Sequence, residues 1–315
     1  MGAILIADIG GTSTRFATVK AGRPHAVVHF DKNDFADPRA LIGKALSVIA
    51  EDVDEPIDEA VLGIAGPVDE RGVHMTNRSW TFDRANLVAA FKFRRLALLN
   101  DFEALAYALP ILRADELVTL APGMASGGPK LAIGPGTGLG AALYLTDARR
   151  VLPTEAGHMS FGPAQSDEDA VFAKLRARLG PLSAESVLAG RGLPLLHAAL
   201  TGGEPETPEA LGRRIAAREP GTAATMALYT RLLGRFAGDL ALAFRAAGGV
   251  YLAGGVAQRL KDFIDPGIFR AAFVAHPPYE EWLGGVPIHL ITADEPGLIG
   301  CAAVAVSQRE GKASP

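Results

Sequence analysis

Short apolar runs alternate with segments of helical spacing along this chain, and the alternation predicts an α/β fold. A helix is predicted over Arg39–Ile49, since Asp37 supplies an N-cap and Pro38 a first helical residue. Residues 166–247 are rich in helical patterns. Further helices are predicted over Phe102–Ala108 and Leu298–Gln308. The runs predicted to form strands are Ala3–Ile9, Arg15–Lys20, Ala26–Phe30, Glu59–Ile64, Leu96–Leu99 and Gly249–Ala253.

Two similar glycine turns suggest that the chain has two related halves. Ile9-Gly10-Gly11-Thr12 follows the first strand, and Ile133-Gly134-Pro135-Gly136-Thr137 lies inside the strand-turn-strand segment Lys130–Leu145. The two threonines are 125 residues apart, which is too long for a solenoid repeat. A third glycine turn is predicted at Gly254-Gly255, after the apolar strand Gly249–Ala253. We place the boundary between the halves near Pro110.

Composition and charge exclude several classes of protein. Hydrophobic residues make up 49% and charged residues 21% of the 315 residues, which is typical of globular proteins and excludes a disordered chain. The formal net charge of −4 argues against nucleic acid or an anionic membrane as the main partner. A single cysteine, Cys301, allows no disulfide within the chain, and we expect it to be a buried helix residue. The N-terminus lacks the basic region of a secretory signal, so we expect a cytoplasmic protein.

The first glycine turn has the chemistry of a phosphate site. Glycines let the backbone approach a ligand closely, successive N–H groups form an anion-binding concavity, and Thr12 adds a hydroxyl donor. Asp8, near the end of the strand, is suited to holding Mg²⁺ directly or through water. A glycine-rich hairpin without function is the alternative for either turn taken alone. Neither turn is a P-loop, and Ala141–Leu145 reads as a strand where a dinucleotide-binding motif requires a helix.

Other polar residues carry both a functional and a structural interpretation. Asp101 ends an apolar strand, where it could accept a substrate proton, but it could equally cap the following helix. Asn100 offers a donor and an acceptor to a sugar hydroxyl. Glu155 and His158 favour a polar clamp for a polyol over a metal pair, since neighbouring cysteines are lacking. Glu185 is a candidate ligand that could instead belong to a capping box with Ser183.

Taken together, the ordered motifs resemble the bacterial ATP-dependent glucokinase family, within the actin, hsp70 and hexokinase superfamily. One match is weak, but the ordered set runs nearly end to end. The matching segments are Asp8-Ile9-Gly10-Gly11-Thr12 with Arg15, Gly63-Ile64-Ala65-Gly66-Pro67, Met75-Thr76-Asn77-Arg78-Ser79-Trp80, Leu99-Asn100-Asp101-Phe102, Gly134-Pro135-Gly136-Thr137-Gly138-Leu139-Gly140, Leu152-Pro153-Thr154-Glu155-Ala156-Gly157-His158, Ser183-Ala184-Glu185, Ala253-Gly254-Gly255 and Pro296-Gly297-Leu298.

This resemblance implies a fold and a role for each matched residue. The implied fold is the two-domain actin-like, ribonuclease H-like ATPase fold, with the active site in the cleft between domains. A small α/β domain over residues 1–109 would be completed by the C-terminal helix 298–315, and a large α/β domain would span 110–297. Asp101 would be the catalytic base. Asn77, Asn100, Asp101, Glu155, His158 and Glu185 would bind the sugar, and Asp8, Gly10, Gly11, Thr12, Arg15, Gly136, Thr137, Gly138, Gly254 and Gly255 would bind ATP, with Mg²⁺ at Asp8.

The resemblance implies phosphoryl transfer from MgATP to the 6-hydroxyl of glucose, and it allows a homodimer. One departure is Ala156, where the family usually has glycine. Three rivals stay open: a kinase for another hexose, a sugar-sensing regulator and an actin-like filament former. A regulator usually adds a DNA-binding helix-turn-helix, for which a first strand at residue 3 leaves no room at that end. A filament former has no need for Asn100-Asp101 or the Glu155–His158 segment.

Overall fold

The computed structural model describes residues 2–10, 14–53, 55–75 and 78–311. Contacts along the chain divide it into two compact units. Unit one comprises Met1–Arg113, Ala148–Pro153 and Ala293–Pro315, and unit two comprises Ala114–Asp147 and Thr154–Thr292. The predicted domain limits at residues 109 and 298 stay predictions.

Unit one is built on a sheet whose strands lie in the order β3-β2-β1-β4-β7. β1 and β2 form an antiparallel hairpin, whereas β1, β4 and β7 run parallel. A small antiparallel pair, β5 and β6, lies apart from this sheet. The elements are β1 (Ala3–Ile9), β2 (Thr14–Lys20), β3 (Arg23–Phe30), α1 (Pro38–Ile49), β4 (Ile57–Ile64), β5 (Gly72–His74), β6 (Thr81–Asp83), α2 (Arg84–Phe91), β7 (Arg95–Asn100), α3 (Asp101–Ala108) and, at the far end of the chain, α12 (Pro296–Arg309).

Local signals fix α1 on one face of this sheet. The Asp37 carboxylate accepts a hydrogen bond of 2.8 Å from the Ala40 N–H, and Pro38 occupies the first helical position, as predicted. The buried residues of α1 recur at helical spacing and belong to the same buried hydrophobic cluster as alternate residues of β1. Each fully buried aliphatic side chain contributes about 1.5–3 kcal/mol relative to exposure. These cluster members are Leu5, Ala7 and Ile9 on β1, and Leu41, Ile42, Ala45 and Ile49 on α1.

Helices α3 and α12 contact each other, and α12 also contacts β1 and β4. Cys301 is fully buried there, and its Sγ lies 3.3 Å from the Ala7 carbonyl oxygen, to which it donates. Burial is the main reason that the pKa of the Cys301 thiol lies far above its ordinary value. The prediction of a buried helix cysteine is therefore confirmed.

In unit two, strands β10, β9, β12, β13 and β8 lie side by side in that order. β9 and β10 form an antiparallel hairpin, and β9, β12 and β13 run parallel. β11 (Arg150–Thr154) spans the division between the units. The other elements are β8 (Leu117–Ala121), β9 (Lys130–Pro135), β10 (Leu139–Leu145), α4 (Asp169–Leu179), α5 (Ala184–Leu188), α6 (Gly192–Thr201), α7 (Pro208–Ala216), α8 (Thr222–Phe244), β12 (Val250–Leu252), α9 (Gly254–Arg259), α10 (Pro266–Val274), α11 (Glu280–Gly285) and β13 (Ile288–Ile291).

The two units repeat one strand arrangement. In unit one a hairpin, β1–β2, is continued by the parallel strands β4 and β7; in unit two the hairpin β9–β10 is continued by β12 and β13. This repetition agrees with the prediction of two related halves. Gly10 follows β1 and Gly136 follows β9, so in both units a glycine lies next to the ends of the parallel strands.

Candidate active site

Two carboxylates of unit one lie at the carboxyl ends of parallel strands, on the same edge of its sheet. Asp8 is the next-to-last residue of β1, and Asp101 follows directly after β7. β4 pairs in parallel with both of these strands, so their carboxyl ends meet at one edge. Ligands of open α/β sheets bind outside the carboxyl ends of strands. Unit one therefore presents both carboxylates at the edge where a substrate is expected.

Burial raises the pKa of both carboxyl groups. The pKa of Asp8 rises to about 6, mainly through desolvation, while the Arg15 charge lowers it and the Glu295 charge raises it. The pKa of Asp101 also rises to about 6, first through desolvation and then through the Asp8 charge, against a hydrogen bond from the Phe102 N–H. A carboxylate with a pKa near 6 is ionised at neutral pH and is more basic than an ordinary aspartate, as suits a general base.

Arg15 links Asp8 to the start of α12. Arg15 on β2 is paired with Asp8 on β1 across the hairpin, and Arg15 Nη1 lies 3.4 Å from Asp8 Oδ2. Arg15 Nε lies 2.6 Å from Oε2 of Glu295, the residue that precedes α12. Sequence reasoning missed Glu295, although it directly precedes the motif Pro296-Gly297-Leu298. Two carboxylates thus hold the guanidinium that was predicted to serve the nucleotide.

Asn100 is the N-cap of α3, so the structural interpretation of Asp101 as the cap is wrong. Asn100 Oδ1 accepts from the Phe102 N–H at 2.9 Å and from the Glu103 N–H at 3.4 Å. Glu103 Oε2 in turn accepts from the Asn100 N–H at 3.2 Å, which completes a capping box. Asn100 Nδ2 donates to the Gly66 carbonyl at 3.0 Å. Asp101 becomes the first helical residue, beside an asparagine whose orientation is fixed by four hydrogen bonds.

Some predicted residues of unit one lie outside the described part of the chain. These are Gly11, Thr12 and Asn77. Gly10 is described, and its carbonyl accepts a hydrogen bond of 3.4 Å from Nζ of Lys32. Lys32 is buried, and burial lowers its pKa. The sequence analysis did not single out this lysine, because nothing in its local pattern indicates that the strand β3 ends next to the first glycine turn.

The second glycine turn closes the β9–β10 hairpin of unit two, as predicted. The Gly136 N–H donates within the turn to the Gly138 carbonyl at 2.8 Å. The Gly136 carbonyl accepts from the Gly190 N–H, also at 2.8 Å. Thr137, between the two glycines, carries the hydroxyl expected to donate to phosphate. The turn is therefore held from the side by the segment that follows α5.

Glu155 directly precedes a short 3₁₀ turn at residues 156–158, and His158 is the last residue of that turn. Their side chains are 76% and 62% exposed, and His158 Nε2 lies 3.9 Å from Glu155 Oε2. Gly157 packs against the hairpin so closely that a Cβ there would lie 1.9 Å from the Leu139 carbonyl oxygen. Ala156 is buried, with a φ outside the positive region. Of residues 156 and 157, only residue 157 needs to be glycine, which explains how the chain accommodates Ala156.

The carboxylate of Glu185 is not part of a capping box. Ser183 and Ser186 form that box at the start of α5. Glu185 Oε2 instead accepts from the Leu139 N–H at 3.0 Å, directly after the second glycine turn. Its Oε1 accepts from Nη2 of Arg191 at 2.8 Å. The sequence did not predict a role for Arg191, because its contact with Glu185 depends on how the chain turns after α5.

Gly254 and Gly255 begin α9 and do not form the predicted third turn. Gly254 has a φ of +86°, and a Cβ on it would lie 2.6 Å from the Pro135 carbonyl oxygen. The start of α9 therefore lies against the end of β9. Unit two brings the second turn, Glu185 and Gly254 together, and unit one brings together Asp8, Arg15, Asn100 and Asp101.

Within the described residues, no group of three or more His, Cys, Asp or Glu side chains could hold a metal ion. Mg²⁺ needs no such cage, since it is commonly held by one or two carboxylates together with water and substrate phosphates. Asp8 fits that mode, because a cation would relieve the repulsion between two partly buried carboxylates. No helix in the described part of the chain has both the length and the apolar character required to cross a membrane.

Comparison with known proteins gives consistent matches over nearly the whole chain. The family model "Glucokinase" matches residues 5–308. The glucokinase of Psychromonas ingrahamii is 34% identical over 310 residues, which cover 95% of each chain. The crystal structure of a glucokinase from an Antarctic psychrotroph has a TM-score of 0.86 at 31% identity and covers 96% of this chain and 98% of that chain.

A more distant structure supports the fold. The structure of a ROK family glucokinase from Streptomyces griseus, in complex with glucose and AMPPNP, matches with a TM-score of 0.67 at 19% identity. The match covers 96% of this chain and 98% of that chain. At this identity it carries the fold alone. Together with the psychrotroph structure, it confirms the predicted two-domain actin-like sugar kinase fold.

Proposed function

The chain belongs to the glucokinase family, and from this premise we propose that it transfers the γ-phosphoryl group of MgATP to the 6-hydroxyl of D-glucose. The products are glucose 6-phosphate and ADP. The observation that carries the proposal is Asp101, a carboxylate with a pKa of about 6 at the carboxyl end of β7, beside a rigidly held asparagine. The name of the relative from Psychromonas ingrahamii, a glucokinase at 34% identity, supports glucose as the acceptor.

Asp101 is the general base of this proposal. Its carboxylate accepts the proton of the 6-hydroxyl as the oxygen attacks the γ-phosphorus in line and the bond to the ADP oxygen breaks. In phosphoryl transfer, positioning and charge stabilisation provide most of the catalysis. Asn100 contributes positioning, since its Nδ2 uses one hydrogen on the Gly66 carbonyl and keeps the second for a sugar hydroxyl. Asn77, Glu155, His158 and Glu185 complete the proposed sugar contacts.

The proposed nucleotide contacts come from backbone and hydroxyl donors. Gly10, Gly11 and Thr12 form the first phosphate loop, and Gly136, Thr137 and Gly138 form the second. Because the Gly136 N–H donates within its own turn, Thr137 and Gly138 are the donors expected to reach phosphate oxygens. Gly254 and Gly255 lie by the adenosine. Arg15 serves the nucleotide through Asp8, whose orientation it fixes.

Asp8 is the residue proposed to hold Mg²⁺, directly or through water. When bound, Mg²⁺ neutralises charge that develops on the β- and γ-phosphates. What the chain itself contributes is a carboxylate of raised pKa, held in place by Arg15. Replacing Asp8 by Asn is expected to weaken Mg²⁺-dependent nucleotide binding while glucose binding persists.

A coupled assay of ADP release tests the proposal. The purified chain is supplied with MgATP and, in separate reactions, glucose, mannose, fructose, N-acetylglucosamine or no sugar. Strong glucose-dependent release supports the assignment, and Asp101→Ala should then lower kcat by about 10²- to 10⁴-fold, which is the usual contribution of a general base. Turnover on another hexose alone would replace the substrate but keep the mechanism. Near-normal turnover of the Asp101→Ala variant would refute the base assignment.

Three further parts of the proposal concern the whole protein. We place the enzyme in the cytoplasm, where its single buried cysteine suits a reducing environment. A homodimer is the proposed assembly, and sedimentation velocity tests it. The proposed domains are residues 1–109 with 298–315, and 110–297; limited proteolysis followed by mass spectrometry tests these limits.

A further inference from the structure

One carboxylate in unit two touches both the proposed sugar set and the second phosphate turn. Glu185 belongs to the residues proposed to bind glucose. Its Oε2 also accepts the Leu139 N–H at 3.0 Å, at the residue where the turn ends and β10 begins. The Glu185 side chain is only 15% exposed, so this hydrogen bond is largely shielded from water. The position of the turn and the position of the carboxylate are therefore linked.

Close packing makes the link stiff. A Cβ on Gly138 would lie 2.6 Å from Glu185 Oε2, so the carboxylate lies directly against the backbone of the turn. The Gly190 N–H donates to the Gly136 carbonyl at 2.8 Å, on the other side of α5. Two hydrogen bonds from the segment around α5 thus hold the turn at both of its ends. A displacement of Glu185 by a ligand must move the turn or break one of these bonds.

Arg191 sets the orientation of this carboxylate. Its Nη2 lies 2.8 Å from Glu185 Oε1, and the Arg191 side chain is 71% exposed. A carboxylate has about four lone-pair sites, of which Leu139 and Arg191 use two. The remaining sites are available to sugar hydroxyl donors. The hydrogen bond from Arg191 to the carboxylate is charge-assisted, and such bonds are stronger than those between neutral groups.

We propose that Glu185 transmits sugar binding to the second phosphate turn, so that glucose and nucleotide bind synergistically, and that Arg191 is the positioning residue for this link. The inference rests on the proposed function, because it needs Glu185 to contact the sugar. Glucose hydroxyls fix the carboxylate, the carboxylate fixes the Leu139 N–H, and the turn is thereby ordered for the phosphates. By linkage, the nucleotide must increase glucose affinity by the same factor.

Calorimetry on the full chain measures this coupling. The dissociation constant of AMPPNP with Mg²⁺ is measured without and with saturating glucose, and the ratio of the two constants is the coupling factor. Couplings between sites typically lie between about 5- and 150-fold. The test variant is Arg191→Met, with Arg191→Lys as the conservative variant. The matched control is Arg178→Met, which removes another half-exposed arginine of unit two, paired with Glu204 at 3.3 Å.

The inference expects at least about fivefold coupling in the unmodified chain. Arg191→Met should reduce the coupling factor at least about threefold, a change well above calorimetric error. Its Tm and its dissociation constant for AMPPNP without glucose should change little. Arg191→Lys should restore part of the coupling, and Arg178→Met should leave it unchanged. Full coupling in Arg191→Met, equal losses in both methionine variants, or no coupling in an unmodified chain that turns over glucose would each overturn the inference. Absence of glucose binding and turnover in the unmodified chain would instead refute the proposed function.

Discussion

The pH dependence of turnover tests the proposed environment of Asp101 quantitatively. With a pKa of about 6, the base is about 90% ionised at pH 7 and about 10% ionised at pH 5. The ratio kcat/KM for glucose should therefore fall roughly tenfold between pH 7 and pH 5. An aspartate with the ordinary pKa of 3.8 would lose less than about a tenth of its ionised form over the same interval. The two expectations differ by nearly an order of magnitude in rate.

The assay follows ADP release at low concentrations of both substrates, so that kcat/KM reports the free enzyme. Titration of the nucleotide phosphates contributes equally to every variant, so Asp8→Asn is the informative comparison. Loss of the Asp8 charge removes the second largest cause of the raised Asp101 pKa, and the acid limb should move to lower pH while kcat falls. Carbon-13 NMR of the Asp101 carboxyl group without nucleotide gives the same midpoint independently. A midpoint below about pH 5 in the unmodified chain would refute the reasoning from burial.

The raised pKa of Asp101 also predicts that its ionised carboxylate lowers the free energy of unfolding. Because the folded pKa of Asp101 lies above the unfolded value, the ionised carboxylate destabilises the folded state. This cost is absent below about pH 4 and complete above about pH 6. A shift from 3.8 to about 6 corresponds to at most about 3 kcal/mol. Asp101→Asn should thus raise the midpoint of urea unfolding at pH 8 but not at pH 4. If the variant and the unmodified chain had the same midpoint at pH 8 as well as at pH 4, the argument would be contradicted.

Three other substitutions or reagents probe local features. Burial is the main cause of the lowered pKa of His197, so its stability contribution is present above about pH 6.5 and is lost below it; His197→Gln should flatten the decline of Tm between pH 6.5 and pH 5.5. Cys301 should react with a thiol reagent only after unfolding, as followed by absorbance in urea, because its thiol is fully buried. Gly157→Ala should raise the glucose KM, since the added Cβ meets the Leu139 carbonyl, whereas Ala156→Gly should leave the KM nearly unchanged.

The strands and helices for which local patterns gave bounds agree with the structure to within a few residues. The strand Ala3–Ile9 and the start of α1 were correct because an apolar run and a capped Pro position are signals read within a few residues. β3 begins at Arg23, earlier than expected, since Ala21 and Gly22 adopt positive φ and allow an immediate hairpin. The glycine pair at residues 254–255 was expected to form a turn but begins a helix. Its backbone conformation depends on contact with β9, which no local pattern encodes.

The residues of the candidate site also divide into those that a local motif predicts and those that depend on contacts distant in sequence. Asp8, Asn100 and Asp101 were found because each follows an apolar strand in a short motif. Glu295, which holds Arg15, is distant in sequence and carries no motif of its own. The bond between Glu185 and the Leu139 N–H depends on how α5 packs against a hairpin 46 residues earlier. Contacts of this kind depend on strand register and helix packing, and one sequence does not determine them.

The two units share one strand arrangement but differ in the charge that lies beside their glycine turns. Asp8 pairs with Arg15 one position before the end of the first hairpin, and Gly134 pairs with Gly140 at the same position of the second. Gly134 has no side chain there, whereas Asp8 bears a carboxylate with a raised pKa. The hairpin of unit one thus carries charge suited to a cation, and the hairpin of unit two relies on neutral backbone groups and on an external carboxylate, Glu185, to fix its turn. The two hairpins therefore differ in charge, because a single position on the first strand decides whether the turn is accompanied by a carboxylate.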